Sequence, residues 1–242
     1  MQAKKDWFHK WFNTPYYHLL YRDRDDSEAE LFMMNLTQFL GLKKDDTILD
    51  LPCGKGRHAI FLNSLGFDVT GADLSENSIE YAKQFENDSL RFEVHDMRHP
   101  FKTKFDAIFN LFTSFGYFDN DETDIAVLQN LRRGLKPNGI LVIDFLNVDF
   151  VKEHLVPEET QHRSTIDFKI NRSINEQFIV KDIRFSAQKK DHHYTEYVRN
   201  ISLEKFKDYA DKADLKLKHT FGDYNLNPFD RTSSPRLILI LE

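Results

Sequence analysis

A single cysteine, Cys53, stands in the 242 residues. No disulfide can form within the chain, and no metal site can be built from paired thiolates, so a reducing compartment is the expected setting and no metal is expected. There is no continuous apolar run of membrane-spanning length. The opening MQAKKDWFHKWF is amphipathic and aromatic, so neither a signal peptide nor a membrane partner is expected, and the cytoplasm is the default location. There is no basic stripe either. Lys4-Lys5, Lys43-Lys44, Arg132-Arg133 and Lys189-Lys190 are short and scattered, and the net charge is −6. Binding a nucleic acid needs a basic surface, so no nucleic-acid partner is expected. No repeat, low-complexity segment or long Pro/Gly/Ser linker divides the chain. What is abundant is phenylalanine, 22 residues, which points to an aromatic-rich core or pocket. The length suffices to bury a full core without covalent staples, as one domain with a sizeable insertion.

The first stretch, Trp7 to Leu40, is read as helical. Apolar residues recur at three and four spacing, among them Leu31, Met34, Phe39 and Leu40, and Pro15 divides the stretch into two pieces. A strand-and-helix rhythm follows. Residues 47–51 form a buried strand, 57–64 a helix closed by Gly66, 67–73 a second strand, and Ser75 caps a helix to about Phe85. Residues 90–95 and 105–111 are the third and fourth strands, 121–135 a helix, 136–139 a turn, and 140–145 a fifth strand. Such alternation implies parallel βαβ units in a doubly wound sheet. After Phe150 three strands, at 165–170, 177–185 and 192–198, have no helices between them and are expected to be antiparallel. A helix at 203–213 and a hairpin of strands at 215–224 and 236–241 close the chain. The expected layout is a helical lid at 1–44, a core at 45–150 and 201–242, and an antiparallel insertion at 151–200 that serves as substrate lid or dimer contact.

The central motif is the run from Ile48 to His58, ILDLPCGKGRH, set between a strand and a helix. Gly54 and Gly56 let the backbone turn tightly and approach a ligand, and the helix beyond offers free N–H groups and a positive dipole end. Asp73, at the end of the second strand, can accept both hydroxyls of a ribose. Asp96, after the third, can accept from an adenine amine while the next backbone N–H reaches a ring nitrogen. Acids at neighbouring strand tips mark the ligand crevice of an open sheet, so a nucleoside ligand is expected.

Two nucleosides fit. Gly54-x-Gly56-x-x-Ala59 matches the dinucleotide fingerprint, which keeps an NAD-dependent oxidoreductase open. S-adenosylmethionine (AdoMet) is favoured by three features. Asp50 would repel a pyrophosphate but suits an ammonium and a sulfonium. The fourth strand ends in Asn110 and an apolar, aromatic run, with no Tyr/Lys or His/Asp pair for hydride transfer. The chain closes on a hairpin where dinucleotide enzymes continue with βα units. A non-catalytic module binding AdoMet or a nucleotide is a further alternative.

The chain resembles the class I AdoMet-dependent methyltransferases. The resemblance runs through residues 49–58 (LDLPCGKGRH), 69–75 (VTGADLS), 92–97 (FEVHDM), 105–117 (FDAIFNLFTSFGY) and 135–145 (LKPNGILVIDF). Residues 6–24 look like the aromatic lid of small-molecule members, and 222–242 like their ending. One departure is Pro52, where the family carries its first loop glycine; proline fixes φ and removes a donor. The resemblance implies a Rossmann-like fold, α/β, with a mostly parallel seven-stranded sheet. It implies AdoMet as cofactor, S-adenosylhomocysteine as product, and methylation of a small molecule by a monomer or homodimer. Carried over, Asp50, Gly54 and Gly56 frame the methionine part, Asp73 the ribose, and Asp96 and Met97 the adenine, with Pro52, Cys53 and Leu74 as further cofactor contacts. Asn110 and Leu111 lie under the methionine end, and Tyr21 belongs to the cofactor's cover.

Methyl transfer is an in-line displacement at carbon, so such a protein contributes alignment and desolvation. No base stands out in the sequence. The candidate acceptor contacts are Tyr16, Tyr17, Phe112, Phe115, Tyr117, Tyr224 and Arg231, with aromatic faces suited to a cation. Arg22 and Arg24 are weighed for the methionine carboxylate, His192, His193 and Arg199 for the substrate, and His58 for the ligand; surface or structural roles compete at each.

Overall fold

The protein is described from a computed structural model over residues 7–21 and 26–242. Arg22 and Arg24 lie outside the described residues. The chain opens on α1 (Trp7–Phe12), α2 (Pro15–Leu20) and α3 (Asp26–Phe39). Pro15 does not end a helix here; it starts α2, where its missing N–H is no loss, with Thr14 Oγ1 capping the Tyr17 amide.

The core alternates as expected: β1 (Thr47–Asp50), α4 (Arg57–Ser64), β2 (Asp68–Asp73), α5 (Glu76–Ala82), β3 (Leu90–Val94), β4 (Phe105–Asn110), α6 (Asp121–Arg133), β5 (Leu135–Leu146) and α7 (Val148–His154). Continuous apolar runs such as Ala107–Ile108–Phe109 are fully buried, as strands covered on both faces require. β5 starts five residues before the expected strand at 140. The Lys136–Gly139 turn exists but is carried inside it: Phe105 pairs with Leu135 and Ala107 with Ile140, so the extra residues bulge out, with Asn138 at φ 63°.

Four strands form the insertion, not three: β6 (Glu158–Arg163), β7 (Ile166–Ile174), β8 (Phe178–Ala187) and β9 (Lys190–Arg199). They pair antiparallel in sequence order as a separate sheet. α8 (Leu203–Lys212), β10 (Leu217–Phe221) and β11 (Arg236–Leu241) return to the core. The main sheet has seven strands in the order β10-β11-β5-β4-β1-β2-β3, and β11 runs antiparallel to both its neighbours. The α/β Rossmann-like reading therefore holds. The strand order reverses between β1 and β4, which opens a crevice at their carboxyl ends.

Two packings position the site. Trp11 stacks on Tyr194 with ring centres 4.4 Å apart, and Tyr16 packs on Phe185 at 4.8 Å, so α1 and α2 lie on the insertion sheet. Arg199 of β9 is buried and paired with Asp121 and Asp124 of α6, which ties that sheet to the core. Among the described residues no helix is long and apolar enough to cross a membrane, and no metal-ligating cluster is present.

Candidate functional site

The loop after β1 turns on two left-handed glycines, Gly54 (φ 55°) and Gly56 (φ 84°). At Gly56 a Cβ would stand 2.6 Å from the Phe92 ring, so only glycine fits; at Gly54 the same position faces open space. Gly56 leads directly into α4, whose first N–H groups face the loop side. Pro52 follows a cis peptide bond and lines the cleft with Cys53 and Gly54.

Asp73, at the tip of β2, accepts from the Gly54 amide through Oδ2 (2.8 Å) and from the Ser75 amide through Oδ1 (2.8 Å). Two fixed donors hold the carboxylate in place and leave further lone pairs for a ligand. Burial nevertheless raises its pKa. Asp50, at the tip of β1, is fully buried; burial, then the charge of Asp73, pushes its pKa up to about 8. Its Oδ2 is buried with no hydrogen-bond partner. Two acids that repel each other beside an unsatisfied oxygen make a place for a cation. Asp96, past β3, is clamped by Arg98, whose Nε and Nη2 lie 2.6 to 3.0 Å from its oxygens. Burial alone would raise its pKa, but those bonds and that charge outweigh it and lower it.

One cleft, of about 1170 Å³ including its open mouth, takes in Asp50, Asp73 and Asp96, with Leu74, Met97 and Leu111 on its walls. Tyr17, Phe112, Tyr117 and His58 line it as well. His58 stacks on Phe112 at 4.6 Å. α1 and α2 cover it with Phe8, Phe12 and His18, which were not expected. Their sequence signal is the aromatic run of the N-terminal stretch, which points to a lid without singling out those side chains. Burial, then the charge of Lys55, lowers the His18 pKa to about 4, so it faces the cleft uncharged.

A second cleft lies between the core and the insertion sheet and shares Phe112 and Tyr117 with the first. Phe112 (φ 59°) and Thr113 (φ 61°) are both left-handed, an arrangement that persists only where the surroundings enforce it. Asp144 of β5 does so. Its Oδ2 accepts from the Phe112 amide at 2.8 Å and its backbone carbonyl from the Thr113 amide at 2.9 Å. Arg236 donates to Asp144 Oδ1 (2.8 Å) and to Thr113 Oγ1 (2.9 Å). Asp144 lies inside an apolar strand, where an isolated acid gives no hint of its partner one strand away.

The remaining candidates lie elsewhere. Phe115 is fully buried against Phe206, so it is a core residue and not an acceptor contact. Asn110 is fully buried and donates to the Leu51 carbonyl at 2.8 Å; it braces the loop from behind and lines neither cleft. Arg231 pairs with Asp149 on an exposed surface, outside both clefts. Tyr16 packs between Phe185 and His192. Tyr21 lines the second cleft and not the first, its hydroxyl 2.8 Å from Glu196. Tyr224 also lines the second, 3.3 Å from Asp144. His193 pairs with Asp182 on the insertion sheet, and Arg199 is structural.

Three acids at neighbouring strand tips thus line one crevice at the switch point of an open sheet, adjoined by a second cleft. Residues 48–139 match the family described as "Methyltransferase domain", and that match, with the fold shared with AdoMet-dependent methyltransferases, supports a class I AdoMet-dependent methyltransferase with AdoMet as cofactor. The glycine/sarcosine N-methyltransferase of Aphanothece halophytica is 34% identical over 137 residues, 53% of this chain and 49% of that protein. Matches of this kind span about half the length of the curated relatives. An S-adenosylmethionine-dependent methyltransferase from Clostridium acetobutylicum ATCC 824 shares the fold with a TM-score of 0.78 at 18% identity, over 94% of this chain and 95% of that one. SAM-bound CalS10, an amino pentose methyltransferase from Micromonospora echinaspora, does so with a TM-score of 0.71 at 15% identity, over 94% and 96%.

Proposed function

We propose that the chain transfers a methyl group from AdoMet to a small-molecule acceptor seated in the second cleft. The observation that carries this reading is the junction: the nucleoside cleft and the second cleft share Phe112 and Tyr117. A nucleophile held in one can thus face a reactive carbon held in the other.

The residues present suit AdoMet. Asp50 and Asp73 supply the negative charge its ammonium and sulfonium need, Asp73 the ribose acceptors, and Asp96 with Met97 the adenine edge. Bound there, AdoMet supplies an already activated methyl group. The protein's part is then to orient and to exclude water. The left-handed turn at Phe112 sets the wall between the clefts, and Phe8, Phe12 and Tyr17 close over the first. No base is assigned, since an amine that arrives unprotonated needs none.

A small acceptor suits a cleft bounded on both sides by protein. The net charge of −6 argues against a nucleic acid. The named acceptors of similar proteins, glycine or sarcosine in one and an amino pentose in another, are small molecules too. The free, buried Cys53 suits a reducing, cytoplasmic setting. The test is a transfer assay with methyl-labelled AdoMet and a panel of small amines, alcohols and acids. Label appearing in an acceptor, and lost in Asp73→Ala, supports the reading. AdoMet bound but never turned over across the panel favours a non-catalytic binding module.

A further inference from the structure

We infer that Glu196 is a positioning residue for the cofactor: through Trp11 and Tyr21 it latches the N-terminal helices over the first cleft and limits the rate at which the nucleoside leaves. This rests on the reading of the first cleft as the AdoMet site.

Strand alternation sets the geometry. Tyr194 and Glu196 stand two residues apart on β9, so both side chains project from one face of the insertion sheet. That is the face on which the lid lies. Trp11 of α1 stacks on Tyr194 at 4.4 Å, and its Nε1 donates to Glu196 Oε1 at 2.7 Å. Tyr21, at the end of α2, donates from its hydroxyl to the same carboxylate, 2.8 Å from each oxygen. Lys181 of β8 stands directly opposite Glu196 and donates to the Tyr21 oxygen at 2.6 Å. With that ammonium on its lone pairs, the Tyr21 hydroxyl turns its single proton toward Glu196. One carboxylate therefore holds both lid helices.

Trp11 is only 1% exposed, so losing Glu196 would leave a buried indole N–H unsatisfied. Much of the remaining lid contact is ring packing: Tyr16 on Phe185 at 4.8 Å, Phe12 on Tyr117 at 5.5 Å and Trp7 on Tyr197 at 6.0 Å. Apolar packing is non-directional and lets rings slide. Charge-assisted hydrogen bonds fix direction and distance, and are about twice as strong as neutral ones. The same two helices bring Phe8, Phe12, Tyr17 and His18 onto the first cleft, while Glu196, Tyr21 and Lys181 line the second. The latch thus sits on the acceptor side and acts on the cofactor side. A nucleoside under Phe8 and Phe12 leaves by lifting the lid, and lifting it breaks the bonds to Glu196.

The test is the release of radiolabelled S-adenosylhomocysteine from the full chain into excess unlabelled ligand. The chain's two tryptophans, Trp7 and Trp11, both lie in α1, so stopped-flow fluorescence follows the lid itself in parallel. Glu196→Ala is expected to speed release about 10- to 100-fold, the range for lost hydrogen bonds to a charged group. Glu196→Gln keeps the shape and one acceptor, and its release rate should fall between those of wild type and the alanine variant. Tyr21→Phe removes one of the two lid donors while keeping the ring; it should also speed release, and it serves if the Glu196 variants do not fold. Asp182→Asn, on the other face of the same sheet, should leave release unchanged. Unaltered release in the Glu196 and Tyr21 variants, with or without a lower melting temperature, or equal acceleration by Asp182→Asn, overturns the inference. A wild-type chain that binds no S-adenosylhomocysteine strikes the AdoMet reading instead.

Discussion

The Phe112 amide donates to Asp144 Oδ2 at 2.8 Å, across from the tip of one strand to the turn that follows its neighbour. That bond holds a left-handed residue at the wall between two clefts. Asp144 is fully buried, and Arg236 is its charged partner. Asp144→Ala should cost about 3–5 kcal/mol, as for a broken buried ion pair, because it leaves a guanidinium and an amide unsatisfied. Asp144→Asn should cost less. Urea unfolding of both variants measures the difference, and equal stability of all three proteins would remove the brace from the account.

Asp73→Ala should weaken AdoMet binding by about 1–3 kcal/mol, the scale of a lost charged hydrogen bond. The variant also releases the Gly54 and Ser75 amides, so the loop after β1 loosens with it. Calorimetric titration gives the affinity directly; an unchanged value would show that Asp73 does not hold the ribose.

Asp50 predicts a pH dependence with a defined sign. Burial, then Asp73, raises its pKa to about 8, so near neutrality the free protein holds a proton there that an unfolded chain has lost. Stability of the free protein should therefore fall as pH rises from about 4 to about 8 and level off above. A cation bound beside Asp50 needs the ionised form, so AdoMet affinity should rise over pH 6 to 8, with proton release visible as a buffer-dependent binding enthalpy. Asp50→Asn should abolish that proton release. A variant that keeps it would assign the proton to another group.

Phe115→Ala and Tyr117→Phe separate core from cleft within one loop. The first removes a fully buried ring and should cost about 3–5 kcal/mol in unfolding. The second removes only a hydroxyl that donates to the Thr113 carbonyl at 2.6 Å, and should alter acceptor KM with little loss of stability. The opposite pattern would exchange their roles.

The parallel core was legible because its strands are apolar runs separated by capped helices; Ser75 caps its helix as its sequence position suggests. The glycine bend and the three acids were legible because each sits at a fixed distance after a strand. β6 was missed because EETQHR is a polar edge strand with no buried residue to give it a period. Phe115 and Phe112 look alike in sequence; only the turn at Phe112–Thr113 and Gly116 sends one ring inward and the other to the cleft. The second cleft was invisible because Arg172, Lys181 and Glu196 are joined by cross-strand register, which no local pattern reports.

The claim on which the rest depends is that Asp50, Asp73 and Asp96 surround a cationic nucleoside at one glycine bend. Titration calorimetry of the wild-type chain with AdoMet, S-adenosylhomocysteine and NAD tests it most directly. The account predicts saturable one-site binding of AdoMet and of S-adenosylhomocysteine, with no heat from NAD. Binding of NAD with none of AdoMet would contradict it.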